Sequence, residues 1–107
     1  MRALLFSIIF LAFVSCGSST PNEADAKEAA RAVVLQNLKN PKDMSFHQND
    51  VVKNLGDNTF EYTETINATN SFGGSIKQDV TVIVKWIKDD PSDITNWSVI
   101  DIQFNEI

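Results

Sequence analysis

The sequence predicts an α+β protein in which one N-terminal helix packs on a four-stranded antiparallel β-meander, after a cleaved signal peptide. Three observations lead to this prediction. Residues 21–40 carry apolar side chains at helical spacing. Beyond Pro41 the apolar residues alternate with polar ones and are interrupted by turn signals. A short, mostly apolar run at residues 3–14 precedes both regions.

The N-terminal run resembles a bacterial lipoprotein signal. Arg2 precedes it, Val14 ends it, and Ser15 stands directly before the chain's only cysteine, Cys16. The run is too short to cross a bilayer, which needs about 20 apolar residues. We expect residues 1–15 to be removed and Cys16 to carry lipid, so that the protein is anchored to a membrane of the bacterial cell envelope. The alternatives are an ordinary secretory signal and a retained core helix.

The rest of the chain has the length and charge of one small acidic domain. Residues 16–20 read as a polar tether and residues 21–107 as a single α+β domain. The chain has 9 basic and 14 acidic residues, for a formal net charge of −5. Because it has no basic patch, we expect no nucleic-acid partner, and we expect the lipid alone to make the membrane contact.

The helix is expected to begin with Thr20 as its N-cap. Pro21 suits the first helical position and Glu23 the third, where it would complete a capping box. The stripe predicted to face the sheet consists of Ala26, Ala30, Val33, Val34 and Leu38. Asn40 and Pro41 should end the helix, because the residue before a proline avoids the α region.

Four strands are expected after the helix. An entry segment through Met44 and Phe46 comes first. The strands follow at residues 51–55, 59–70, 76–88 and 96–104. The turns between them lie at residues 56–58, 70–74 and 89–93.

The alternation of apolar residues also predicts how the strands pair. It sets Phe60 opposite Trp86 in one hairpin and Val82 opposite Ile102 in the next. One apolar face then runs across three strands, and a one-residue slip would break it. The other face is polar and should be solvated, while the helix covers the apolar one.

Short motifs along the domain carry a family resemblance. They are a Leu-Lys-x-Pro segment at residues 38–41, Phe46, an Asn-x-Phe-Gly hairpin at residues 70–73 and a Trp-x-Val strand start at residues 97–99. With these the chain resembles a family of small uncharacterised bacterial lipoprotein or exported domains. The resemblance implies a cystatin-like helix-plus-meander fold with no assigned activity. The protease-binding Gln-x-Val-x-Gly loop of cystatins is absent.

No group of residues in the sequence suggests catalysis. His47 is the only histidine, and it lacks the partners of a triad or a zinc site. Asp89, Asp90 and Asp93 share a turn but lack the glycine and distal glutamate of a calcium loop. We therefore expect a protein that is not an enzyme and that uses no cofactor and no metal.

Glu64 has two interpretations. It falls on the apolar face between Tyr62 and Ile66, where a carboxylate can mark a functional site. The simpler interpretation is a structural ion pair with Lys27 or Arg31 of the covering helix, or a position where this face opens to water at its margin.

The candidate contacts for a partner are Phe72, Trp97, Ile83 and Ile87. Phe72 stands at a hairpin tip, where it either meets a partner or folds back over the sheet edge. The other three would form, together with Val99, an exposed apolar cluster on the solvated face. The alternative is a bulge near Ser98 that turns Trp97 toward the core.

The sequence therefore favours a non-catalytic protein-binding module of the cell envelope, anchored through Cys16 and directed at an envelope protein. The alternative is an inhibitor or immunity protein against an envelope or secreted hydrolase. The fold by itself does not choose between the two.

Overall fold

The computed structural model describes residues 20–107. Its elements in chain order are the helix α1 (Glu23–Gln36) and the strands β1 (Ser45–Phe46), β2 (Val51–Gly56), β3 (Thr59–Thr69), β4 (Ser75–Trp86) and β5 (Trp97–Glu106). The α+β class is confirmed. The predicted signal peptide, the lipidated Cys16 and the tether up to residue 19 lie outside the described residues. Within residues 20–107, no helix has the length and apolar character needed to span a bilayer.

The helix begins at a different cap from the predicted one. Asn22 rather than Thr20 is the N-cap: its Oδ1 accepts a hydrogen bond of 2.8 Å from the Asp25 backbone N–H. The Asp25 carboxylate accepts one of 3.2 Å from the Asn22 N–H in return. A capping box is therefore present, but two residues later than predicted. Asn22 takes the place of Thr20, since Asn caps at least as well as Thr, and Asp25 consequently takes the place of Glu23.

The helix also ends earlier than predicted, at Gln36. The side-chain amide of Asn37 donates to the Val33 carbonyl at 2.8 Å, and its backbone N–H donates to the Val34 carbonyl at 3.1 Å. These bonds satisfy carbonyls of the last turn and close the helix. Pro41 then begins a separate 3₁₀ turn, Pro41–Asp43, instead of ending the helix itself.

The sheet is five-stranded, not four-stranded as predicted. The order is β1–β3–β4–β5, with β2 also paired to β3 and all neighbours antiparallel. β1 and β2 lie along the same edge of β3, opposite its two ends. The expected entry segment at Phe46 is thus a strand, and residues 47–50 bend away before β2 begins. The four longer strands begin and end within two residues of their predicted bounds.

The pairing of β3 with β4 differs from the prediction by two residues. Phe60 lies opposite Val84 and Tyr62 opposite Val82, so Phe60 does not face Trp86. A shift by an even number leaves every side chain on its own face, because side chains alternate with a period of two. The faces are therefore as predicted while the partners are not.

The pairing of β4 with β5 is as predicted over its second half, where Val82 lies opposite Ile102. Between Ile83 and Val84 the register shifts, and Ile100 becomes the extra residue of a bulge. The bulge turns Trp97 to the side of the sheet that α1 covers. Of the two sequence interpretations, the structure has the bulge.

The core lies between α1 and one face of the sheet. Its largest fully buried side chains are Tyr62, Phe60, Ile66, Val34, Val80, Val82 and Val84. Ala26, Ala29 and Ala30 are also buried, so small side chains bring α1 close to the strands. Burial of a side chain the size of valine or larger contributes about 1.5–3 kcal/mol, which makes this layer the main source of stability.

Candidate functional site

A buried carboxylate lies beneath α1. Glu64 of β3 is 3% exposed, and both of its oxygens are bonded. Arg31 of α1 donates from Nε to Oε1 at 3.1 Å and from Nη2 to Oε2 at 2.8 Å. The Gln48 backbone N–H donates to Oε2 at 2.9 Å, and the Tyr62 hydroxyl donates to Oε1. The predicted ion pair with Arg31 is confirmed, and its bidentate geometry is the strong form of this interaction.

A second ion pair continues this cluster toward solvent. Lys27 Nζ lies 3.1 Å from Asp50 Oδ2, and Arg31 Nη2 lies 3.8 Å from Asp50 Oδ1. The guanidinium carbon of Arg31 also lies 4.2 Å from the centre of the Phe46 ring, in cation–π geometry. The hydrogen bond from Lys27 lowers the pKa of Asp50.

The cluster connects three separate parts of the fold. Through Glu64 and Asp50, α1 is joined to β3 and to the segment between β1 and β2. Burial, followed by the bond to Glu64, raises the pKa of Tyr62, so that its hydroxyl stays protonated as a donor. Because every oxygen of Glu64 is occupied, the arrangement acts as a tie between layers, which is the simpler of its two interpretations.

The sheet face away from α1 holds a polar depression of about 250 Å³, lined in part by Asn49, Thr63, Thr65, Asp79 and Thr81. Asn49 bonds Thr65 twice, donating from Nδ2 to Oγ1 at 2.9 Å and accepting from its backbone N–H at 3.0 Å. Thr65 Oγ1 in turn donates to Asp79 at 2.8 Å. These groups hydrogen-bond to one another. The Asn49 side chain also accepts from the Thr65 backbone N–H, which has no strand partner in the gap between β1 and β2. Within residues 20–107 no three His, Cys, Asp or Glu side chains are grouped to hold a metal.

Phe72 stands clear of the protein at the tip of the β3–β4 hairpin, with 96% of its surface exposed. The Asn70 side chain fixes this turn, since its Oδ1 accepts from the Phe72 N–H at 2.9 Å and from the Gly74 N–H at 2.8 Å. Gly73 has a φ of 83°, which favours glycine. The ring does not fold back over the sheet edge, which was the other sequence interpretation.

The other predicted contact residues are not brought together. Trp97 faces α1, where its ring centre lies 5.7 Å from that of Phe60 and its Nε1–H donates to the Pro91 carbonyl at 2.7 Å. Ile83 is half-buried on the opposite face of the sheet. Ile87, just beyond β4, is 54% exposed. The exposed cluster expected from these three residues is therefore split between the two faces.

A groove that the sequence did not suggest lies between α1, the turn at Ile94–Asn96 and the start of β5. We call it the α1–β5 groove; it measures about 220 Å³ and is lined in part by Ala32, Val33, Ile94, Trp97 and Val99. Two features of the sequence relate to the residues that line this groove. One is the apolar Ile94 within a polar turn, and the other is Val99 directly before Ile100. Neither specifies a groove without the bulge that turns Trp97 and Val99 toward the helix.

Comparison with protein families, with curated proteins and with solved structures gave no match to this chain. The resemblance to exported bacterial domains and the cystatin-like description of the fold stay predictions. The function is therefore inferred from the geometry of the chain itself.

Proposed function

We propose that the protein is a non-catalytic binding module that lipid on Cys16 anchors in the bacterial envelope and that contacts a partner protein through the β3–β4 hairpin. Phe72 is the observation that supports this proposal most directly. Its ring is almost wholly exposed, at 96%, on a turn whose backbone is well bonded.

An exposed phenylalanine contributes little to the stability of the domain. Burial of its ring against a partner would contribute about 1.5–3 kcal/mol. The bonds to Asn70 hold the turn in one conformation, so that little loop entropy is lost on binding. Aromatic residues are enriched at the centres of protein interfaces for this combination of area and rigidity.

The anchor adds a second contribution. Each buried CH₂ of an acyl chain contributes about 0.8 kcal/mol, so more than one chain retains a protein at the membrane. The short tether at residues 16–20 would keep the domain close to that surface. A partner in the same membrane is then met at a high effective concentration, which strengthens a modest contact.

Site-specific photocrosslinking in cells tests the proposal. A photoreactive phenylalanine analogue replaces Phe72, and crosslinked proteins are identified by mass spectrometry. The amount of the identified partner that co-purifies without crosslinking is then compared between the wild type, Phe72→Ser and the matched control Leu55→Ser. Leu55 is a good control because it is 52% exposed beside the turn at the other end of β3.

We expect the partner to be crosslinked at position 72, lost from Phe72→Ser and kept by Leu55→Ser. Equal recovery of the partner by both variants would show that the contact surface lies elsewhere than at the hairpin. A captured hydrolase that the purified protein inhibits stoichiometrically would favour the inhibitor or immunity role instead.

A further inference from the structure

β5 is an edge strand with free main-chain groups. It pairs with β4 and with no other strand among the described residues. Within residues 20–107, its main-chain hydrogen bonds outside β4 are confined to its first residue, where the Trp97 N–H donates to the Ile94 carbonyl. After the bulge at Ile100, residues 101–106 run in unbroken register opposite residues 78–83. This stretch is regular enough to accept a further antiparallel or parallel strand.

The opposite edge of the sheet differs in the features that discourage such pairing. It is divided between β1 and β2, and β2 carries both Lys53 and a register shift near Asn54. Interruptions, lysines and bulges are the usual means by which edges are blunted. β5 has neither lysine nor proline, and its own bulge at Ile100 lies outside the regular stretch at residues 101–106.

The apolar side chains of β5 are incompletely covered. Ile102 and Phe104 lie on the core side but stay half-buried, although Val82 and Val80 opposite them are fully buried. The difference arises because no strand of the described residues 20–107 lies beyond β5. A strand added there would place its own side chains over Ile102 and Phe104.

The α1–β5 groove begins at the same edge. Val99, which is 45% exposed, and Trp97 form its β5 side, and Ala32 and Val33 of α1 form the other. An incoming extended segment would place every second side chain on this side of the sheet. The groove would receive one apolar side chain of that segment.

The charge of the edge selects the kind of segment. β5 carries Asp101 and Glu106 and no basic residue, and the loop before it adds Asp89, Asp90 and Asp93 against the single basic residue Lys88. A second copy of the chain would bring these carboxylates against its own acidic strand. A segment that carries Lys or Arg would meet opposite charge instead.

The geometry points to β5 as a docking edge for an extended segment of a partner protein in which apolar residues alternate with Lys or Arg. The segment would pair with residues 101–106 and complete the cover of Ile102 and Phe104. Main-chain bonds would supply the affinity, and the groove and the carboxylates would supply the selectivity. This edge is separate from the Phe72 turn, so it goes beyond the function proposed above.

Binding of defined peptides to the full chain in detergent micelles tests the inference. The probe is a panel of ten-residue peptides that alternate Val or Ile with Lys. The comparison panels replace Lys by Glu, or carry N-methyl groups on alternate residues, which removes the strand-pairing donors. Amide hydrogen exchange, read residue by residue by NMR, reports where each peptide binds.

We expect Lys peptides to slow exchange in residues 101–106 while Glu peptides and N-methylated peptides do not. Asp101→Lys should weaken binding about fivefold or more, because it removes an exposed ion pair worth about 1 kcal/mol and sets a like charge against the peptide's Lys. Asp43→Lys, an equal charge change in the Pro41–Asp43 turn, should leave the affinity unchanged.

Three results would overturn the inference. They are the absence of protection in β5 with every Lys peptide, equal protection by Glu peptides, and protection of β5 by self-association without peptide. Sedimentation of the free chain detects the last of these. Phe72→Ser should bind the Lys peptides normally, so failure of the hairpin proposal and failure of this one are distinguishable.

Discussion

Glu64 places a charge in the apolar layer between α1 and the sheet, where an unpaired carboxylate would be strongly unfavourable. Arg31, Tyr62 and Gln48 together satisfy both of its oxygens. The energetic importance of the pair lies in the difference between replacing the whole group and removing a single partner. Replacing the whole group by apolar residues is often neutral, whereas removal of one partner leaves an uncompensated charge.

Arg31→Met should therefore lower the free energy of unfolding by about 3–5 kcal/mol, because Glu64 is left unpaired. Lys27→Met is the matched control, since Asp50 is partly exposed and such a pair contributes about 0–1 kcal/mol. Urea unfolding of the three proteins measures both effects. Equal losses in the two variants would show that Arg31 acts only as a surface charge.

Asp50 gives a dependence on pH. Its pKa is lowered by the hydrogen bond from Lys27, so the folded state favours its charged form. This stabilisation is present above the unfolded pKa of 3.8 and is lost as the pH falls through the lower folded value. Asp50→Asn should thus be less stable than wild type at neutral pH and should approach it in strong acid. A difference that stays constant across this range, measured by thermal unfolding, would contradict the assignment.

At the scale of the elements, the hairpin of β3 and β4 organises the domain. β3 receives β1 and β2 along one edge and β4 along the other, and its core-side residues contact α1. The Asn70 turn and the bulge at Ile100 set the two registers. The same two features decide where Phe72 and Trp97 point, so the candidate surfaces are consequences of strand pairing.

Val82 lies at the centre of these elements, opposite Tyr62 and Ile102. Val82→Asp should prevent folding, because a buried unpaired ion costs several kcal/mol out of a total stability of about 5–15 kcal/mol. Thr81→Asp, next to it on the polar face, should leave the domain folded. Circular dichroism and melting curves distinguish the two. A cooperative transition in Val82→Asp at the wild-type temperature would refute the burial of this face.

At the scale of the whole molecule, the anchor and the two surfaces have separate tasks in our proposal. In this proposal, the lipid on Cys16 would confine the domain to a membrane, the Phe72 turn would contact one partner, and the β5 edge would accept an extended segment. The acidic net charge of −5 is compatible with this division, because an acidic protein is not attracted electrostatically to an anionic lipid surface.

Cys16→Ser should release the protein from the membrane fraction, because the acyl chains then have no thiol to join. Ser18→Ala, in the same tether, should stay with the membranes and serves as the control. Carbonate washing followed by immunoblotting of both fractions measures the distribution. A Cys16→Ser protein that still sediments after the wash would exclude the lipid anchor.

The amino-acid sequence by itself determined the helix, the four longer strands and most of their faces. The helical stripe at residues 26–34 and the alternation through β3, β4 and the part of β5 after its bulge are local periodicities, and each specifies which side of an element is buried. Glu64 was placed on the apolar face by the same pattern, with Arg31 among its two expected partners. Phe72 was placed at a hairpin tip by turn residues alone.

Only the tertiary structure decided how those elements meet. An even shift of β3 against β4 keeps both faces intact, so the alternation did not distinguish Val84 from Trp86 as the partner of Phe60. The bulge at Ile100 and the pairing of β1 depend on contacts between residues far apart in the chain. The α1–β5 groove and the free edge of β5 arise from that packing, because a groove and an edge are properties of neighbouring elements and not of any single segment.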